Sequence, residues 1–589
     1  MDTSSSSFAK LAPRLRAALD ACRAAFLSAA FFSLFVNLLM LVPSIYMLQV
    51  YDRVIASGSE STLLMLTLLA VFLFVVLGGL EWLRAQILIV ASVRLDALLG
   101  PTLHDVVFAR ALDSGGRRPD AQPLADLDRL RQFLTGQGLF AVLDVPWLPI
   151  YVAVMFMFHP WFGASAIVAT IALVGLAVWN ELATRDLLSD ANKHDAKANL
   201  QTVAHLRNVE VIASMGMLPR LRERWSALHS SALDAQHLAS RRAGLISALS
   251  KTFRLTVQSL MLGLGAYLAL RREISSGSVI AGSILLGRAL APIDSLIANW
   301  RGVLNARAAY GRLNEVLAAV PDNAPPMALP APRGEFKLDK LVVKPSPTRA
   351  AVIEDLSLVV DAGTQLAIVG PSGAGKSTLL RALLGVHRPA EGALRLDGAE
   401  LAQYEREALG RHIGYLPQDV ELLDGTVAEN IARFGEIDPE AVVAAAQLAS
   451  VHEMILGLPE GYETRLDGGF MLSAGQRQRV ALARALYGRP CVVILDEPNS
   501  NLDEAGNAAL QRALAQLREM RSTVVIVTHR TGVLALVDRI LLLVDGKLAL
   551  YGARDQITSK LQQAGANARG AAAHKPPEGL VSVASVAHE

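Results

Sequence analysis

Cysteine is nearly absent. The 589 residues include two, Cys22 and Cys491, which are far apart and fit neither a disulfide framework nor a CxxC metal site. There are twelve histidines, but none falls in HExxH or another paired spacing that would hold a catalytic metal. Charge is scarce as well: Asp, Glu, Lys and Arg together make up 19% of the chain, and the formal net charge is +2. No strong overall field points to nucleic acid as a partner. Apolar residues fill the space, at 52%. At this length that balance indicates several domains, one of them in a membrane.

Apolar stretches near the ~20 residues needed to span a bilayer recur at 24–48, 62–80, 139–158, 161–179, 245–270 and 279–298. The first follows Lys10, Arg14 and Arg16, as a signal peptide would. It is about 25 residues long, beyond the ~7–15 of a signal core, and has no small-residue cleavage site, so it reads as a retained span. The connections after the second and fourth spans are long, polar and rich in arginine, from Arg84 to Arg131 and from Arg185 to Arg242. The others are short and carry chiefly Arg53, Arg271 and Arg272. The positive-inside rule then puts both termini and both long connections in the cytoplasm. Helical periodicity in the long connections predicts that the spans continue as cytoplasmic stalks.

Prolines 321, 325, 326, 330 and 332 mark a linker, after which short β-branched runs alternate with helical patterns. The expected organisation is a cytoplasmic segment at 1–23, a six-span domain at 24–320, a linker at 321–333, an α/β P-loop nucleotide-binding domain at 334–563, and a disordered tail at 564–589.

The strand-like run from Gln365 to Val369 leads into Gly370-Pro371-Ser372-Gly373-Ala374-Gly375-Lys376-Ser377-Thr378, followed by a helical pattern. This is a P-loop in its required context. Its glycines let backbone amides close around phosphate oxygens at a helix N-terminus, where the dipole favours an anion. Lys376 supplies a point charge to the β and γ phosphates, and Ser377 is a ligand for Mg²⁺. A second apolar run, Val492-Val493-Ile494-Leu495, delivers Asp496 and Glu497, a metal-holding carboxylate and a general base for the attacking water.

Leu472-Ser473-Ala474-Gly475-Gln476 resembles the ABC transporter signature. Gln418 resembles the Q-loop glutamine that reaches the metal, Ser500-Asn501-Leu502-Asp503 the D-loop, and His529 the H-loop histidine. In that family the signature of one subunit covers the P-loop ATP of its partner. The resemblance therefore implies ATP held by Ser473, Gly475, Gln476 and Asp503 besides the P-loop, and a homodimer. The segments 46–57, 144–149, 287–292, 414–434 and 497–503 are similar to the protease-exporting branch of type I secretion ABC proteins. That likeness implies an inner-membrane exporter of unfolded polypeptide that works with a periplasmic adaptor and an outer-membrane channel. An exporter of lipid, glycolipid or drug is the alternative.

The sequence departs from the family in places. Ala474 replaces the usual glycine, and the run 464–472 is one residue short. No aromatic residue stands at 342–347 to stack adenine, where Lys344, Pro345 and Pro347 occur, although Phe336 could supply a ring from elsewhere. Arg254, Arg288 and Asp294 fall within or near the last two spans. They read either as a polar path for cargo or as interhelical ion pairs and snorkelling side chains.

Overall fold

The computed structural model describes residues 12–113, 121–319, 329–345, 350–466, 472–500, 504–528 and 530–571. The chain divides into two units, one helical and one α/β, with the break near residue 321.

The helical unit contains α1 (Pro13–Leu39), α2 (Val42–Gln49), α3 (Glu60–Asp113), α4 (Gln122–Thr135), α5 (Gln137–Asp144), α6 (Leu148–Phe158), α7 (Pro160–Arg207), α8 (Val209–Ser214), α9 (Leu218–Leu270), α10 (Ser276–Ala298) and α11 (Trp300–Ala318). Among the described residues, six helical segments are long and apolar enough to cross a membrane, and each contains one of the six apolar runs. The helices α3, α7 and α9 have 54, 48 and 53 residues. At 1.5 Å per residue each is roughly 70–80 Å long, more than twice a ~30 Å hydrocarbon core, so the spans do continue as stalks.

Two of the runs are not continuous α-helix. The first breaks at Met40-Leu41, where Pro43 opens α2, and ends as a π-helical turn over Val50–Ile55. The third passes through a 3₁₀ turn, Val145–Trp147, bracketed by α5 and α6. Pro146 and Pro149 each remove a backbone donor there.

Packing among α7, α9 and α10 relies on small residues, as membrane interfaces do. Phe162 is fully buried in space left by Gly265 and Gly282, and a Cβ at Gly282 would lie 2.5 Å from its ring. Polar groups inside this unit are joined to one another. Arg84 donates to Asp144 at 2.8 Å and to Ser33 at 2.9 Å, while Asn37 donates to the same Asp144 oxygen at 3.0 Å. The Tyr151 hydroxyl reaches the Asn37 carbonyl at 2.9 Å. Arg312 grips buried Asp126 through two bonds of 2.7 Å, pinning α11 to α4. Arg254 pairs with Asp294 at 2.5 Å, and Ser250 also donates to Asp294. For Arg254 and Asp294 the interhelical ion pair is therefore what forms.

The α/β unit carries β1 (Phe336–Val343), β2 (Ile353–Val360), β3 (Gln365–Val369), α12 (Lys376–Leu383), β4 (Glu391–Leu396), β5 (Ala399–Glu400), α13 (Arg406–His412), β6 (Ile413–Leu416), α14 (Val427–Ile431), α15 (Pro439–Leu448), α16 (His452–Leu456), α17 (Ala474–Leu486), β7 (Val492–Asp496), α18 (Glu504–Glu519), β8 (Thr523–Val527), α19 (Thr531–Leu534), β9 (Arg539–Val544), β10 (Lys547–Ala553) and α20 (Arg554–Ala571). An antiparallel sheet has the order β2-β1-β4-β5, and a six-stranded sheet the order β10-β9-β3-β8-β7-β6. In the larger sheet β9, β3, β8, β7 and β6 are parallel. Every residue of β3, β7 and β8 is buried, which explains why these strands read as continuous apolar runs. The last helix, α20, reaches Ala571, beyond the position 564 where the tail was expected to begin.

Candidate nucleotide site

In an open parallel sheet the loops that leave the carboxyl ends of neighbouring strands gather at one edge. Three of these strands bring the sequence candidates there: β3 runs into Gly370–Thr378, β7 ends on Asp496 and Glu497, and β6 is followed by Pro417 and Gln418. The strand β8 lies between β3 and β7 and leads to Thr528; His529 lies outside the described residues, as do Asn501, Leu502 and Asp503.

The P-loop conformation depends on its glycines. Gly370 has φ 157°, and a Cβ there would lie 2.1 Å from the Leu543 carbonyl oxygen. Gly375 opens α12 from the left-handed region at φ 97°. The first-turn amides of α12, including those of Lys376, Ser377 and Thr378, have no intrahelical carbonyl to bond and are free for an anion. Lys376 is 8% exposed, and its Nζ donates to the carbonyls of Gly370 at 2.7 Å and Pro371 at 3.0 Å. Burial lowers its pKa, while the nearby carboxylates of Glu497 and Asp496 act in the opposite sense.

Asp496 is 5% exposed. Burial raises its pKa, and a hydrogen bond from Ser377 partly offsets this. Its Oδ1 is buried without a hydrogen-bond partner, the kind of oxygen that a cation satisfies. Glu497 takes a left-handed backbone, φ 48°, which costs a non-glycine residue about 1–3 kcal/mol. Its amide holds the position by bonding to the Val527 carbonyl at 3.0 Å. Gln418 donates from Nε2 to Oε2 of Glu497 at 3.1 Å.

The signature residues occupy a separate place. Ser473 caps α17 in a capping box with Gln476, accepting from its amide at 3.2 Å and donating its own amide to Gln476 Oε1 at 2.8 Å. No hydrogen bond or ion pair joins Ser473, Ala474, Gly475 or Gln476 to the P-loop among the described residues. The far end of α17 is closed by a residue the sequence did not single out. Half-buried Arg433 donates to the carbonyls of Arg484, Ala485 and Tyr487 at 3.0–3.2 Å, and to Gly410 and Ile413 at 2.6 and 3.1 Å. Gln478, inside α17, donates to the Pro498 carbonyl and ties this helix to the segment after Glu497. Both were illegible in sequence, since their partners are backbone carbonyls that carry no residue signature. Phe336 is fully buried in β1, between Val360 and Leu396 of the flanking strands, and offers no ring to a base.

Residues 353–500 match the ABC transporter family and residues 122–290 the ABC transporter transmembrane region. The chain is 43% identical over 547 residues to the type I secretion system ATP-binding protein PrsD of Rhizobium meliloti, covering 92% of this chain and 94% of that protein. It is 29% identical over 550 residues to the alpha-hemolysin translocation ATP-binding protein HlyB of Escherichia coli, covering 91% of this chain and 77% of that protein. The same identity, 29% over 544 residues, relates it to the exotoxin translocation ATP-binding protein PaxB of Pasteurella aerogenes, with 91% and 76% covered. Among solved structures, a bacterial Atm1-family ABC exporter with ATP bound superposes with a TM-score of 0.75 at 24% identity, over 94% of this chain and 99% of the other.

Proposed function

Since this chain belongs to the ABC transporters, in the branch of type I secretion ATP-binding proteins, we propose that it exports unfolded polypeptide across an inner membrane, driven by ATP hydrolysis. The likeness to a type I secretion protein along nearly the whole chain carries this reading. A periplasmic adaptor and an outer-membrane channel complete the route, and the α/β unit and both termini face the cytoplasm. Lipid surrounds the six spans.

The chemistry is assigned to this chain's own groups. The P-loop amides and Lys376 bind the β and γ phosphates, and the lysine exchanges its carbonyl partners for phosphate oxygens. A phosphate beside Lys376 favours the charged form that burial disfavours. Ser377 and Asp496, with Gln418, would hold Mg²⁺, which supplies positive charge to the transferring phosphoryl group. The fit rests on the buried, unsatisfied Oδ1 of Asp496 and on Ser377 beside it. Glu497 takes the proton of the attacking water. His529, which follows β8 in the sequence, is assigned the H-loop role by the family resemblance.

The separation of Ser473, Gly475 and Gln476 from the P-loop supports a site shared by two copies. A two-fold homodimer gives each copy an equivalent site.

ATP turnover of the purified protein in lipid vesicles tests the reading. Unfolded polypeptides bearing the C-terminal segment of a candidate cargo should stimulate turnover. Stimulation by lipid or drug substrates and by no polypeptide would replace this reading with the alternative.

A further inference from the structure

Of the three ionisable residues singled out in the last two spans, Arg254 and Asp294 form an ion pair with each other. Arg288 forms no ion pair or hydrogen bond among the described residues, and it is exposed. It lies twelve residues into α10, whose bounds are Ser276 and Ala298. At 1.5 Å per residue it is roughly 18 Å from one end of the helix and 15 Å from the other. That is close to the middle of a ~30 Å hydrocarbon core, farther from either surface than an arginine side chain reaches. A charged group at such depth is costly in lipid and occurs facing protein or water.

This chain leaves the face that Arg288 occupies uncovered. Half of the apolar window of α10 is buried, against 28% or less for the other five spans, so this helix is the most enclosed one in the unit. Its less buried stripe runs through half-buried Ile284 and Ala291 and exposed Arg288 and Ser295, at the three- and four-residue spacing of one helix face. Two carboxylates within the spans are already engaged, Asp294 by Arg254 and Ser250, and Asp144 by Arg84 and Asn37.

We propose that this stripe of α10 lines an aqueous path through the membrane and that Arg288 makes the path selective for polypeptide segments carrying carboxylates. The identity of the passing molecule rests on the export reading above; the water and the charge do not. An extended chain presents its side chains singly to such a wall. A guanidinium with no internal ion pair attracts aspartate and glutamate, donates hydrogen bonds to backbone carbonyls, and repels runs of lysine and arginine.

The test uses the full chain in membrane vesicles with Cys22→Ser and Cys491→Ser, so that a single thiol introduced by Ser295→Cys or Ala291→Cys reports the stripe. Anionic and cationic membrane-impermeant thiol reagents are compared with and without ATP. The expected result is reaction with both, the anionic reagent about tenfold faster, as focused charge does for approaching ions. Arg288→Gln should erase that preference, Arg288→Glu should invert it, and Arg288→Lys should keep it. ATP turnover in each variant confirms folding. No reaction with either reagent, or an unchanged preference in Arg288→Gln, overturns the inference. A charge-selective path in a protein whose turnover no polypeptide stimulates would leave the path standing and sink the export reading alone.

Discussion

Gln418 and Glu497 are joined by a hydrogen bond of 3.1 Å, from the glutamine Nε2 to the glutamate Oε2. They follow adjacent parallel strands, β6 and β7, so the bond links the loop after β6 to the carboxylate assigned as general base. A movement of that loop is therefore felt at the base without passing through a phosphate. Replacing the carboxylate by its amide preserves the shape and one acceptor oxygen but removes the basicity. For Glu497→Gln we expect ATP binding to persist while turnover falls by about 10²–10⁴, the usual worth of a positioned base. An ATP-bound dimer should accumulate on gel filtration. Turnover near that of the parent would remove Glu497 from the mechanism.

Lys376 is held by two carbonyls of its own loop, so its truncation leaves both acceptors and the phosphates without a cation. Lys376→Ala should abolish hydrolysis and weaken nucleotide binding together, unlike the change at Glu497. Equilibrium binding of a fluorescent ATP analogue separates the two defects. Tight binding with continued hydrolysis in this variant would show that the phosphates lie elsewhere.

Cysteines placed at Ser372 and Ser473 report the shared site. With ATP present, a bifunctional thiol reagent should join two chains, and mixed dimers carrying one cysteine each should link as well. If every crosslink stays within one chain, the composite site is wrong.

Base recognition follows from what is missing at the nucleotide. Phe336 is sealed between β2 and β4, and Lys344 and Pro345, which follow β1, have no aromatic ring. Stacking on an aromatic ring is worth about 1–3 kcal/mol per base in single-stranded nucleic acid sites. Without it, the phosphate contacts carry most of the affinity and are blind to the base. We expect KM values for ATP and GTP within about tenfold, or roughly 1.4 kcal/mol. Lys344→Tyr should tighten binding without raising the maximal rate, as uniform binding does. A preference for ATP well beyond tenfold would point to a ring from another part of the chain.

Much of this was legible because membrane spans and phosphate loops are written in contiguous residues. The six apolar runs coincide with the six spanning segments, and Gly370 to Thr378 occupy one strand-to-helix turn. Breaks in the runs were less visible. Pro43, Pro146 and Pro149 hint at them, but a hydropathy profile averages over a turn of three residues. The fate of the charges was not legible at all. Arg254 and Asp294 are forty residues apart and meet only because α9 and α10 lie side by side, while Arg288, six residues from Asp294 and about a third of a turn round the helix from it, is exposed. Exclusion of Phe336 from the base likewise needed the register of β1 with its neighbours.

The closure of α17 by Arg433 changes what this helix is electrically. A helix has opposite partial charges at its two ends, and from a distance they largely cancel. Here the negative end is neutralised by a half-buried guanidinium bonded to the carbonyls of Arg484 and Ala485 in the last turn and of Tyr487 just past it. The positive end, at Ser473, carries only the uncharged capping box with Gln476. Such a helix acts on its surroundings as a single fractional charge rather than as a dipole, and its field falls off more slowly with distance. An approaching phosphate is then attracted before any hydrogen bond can form.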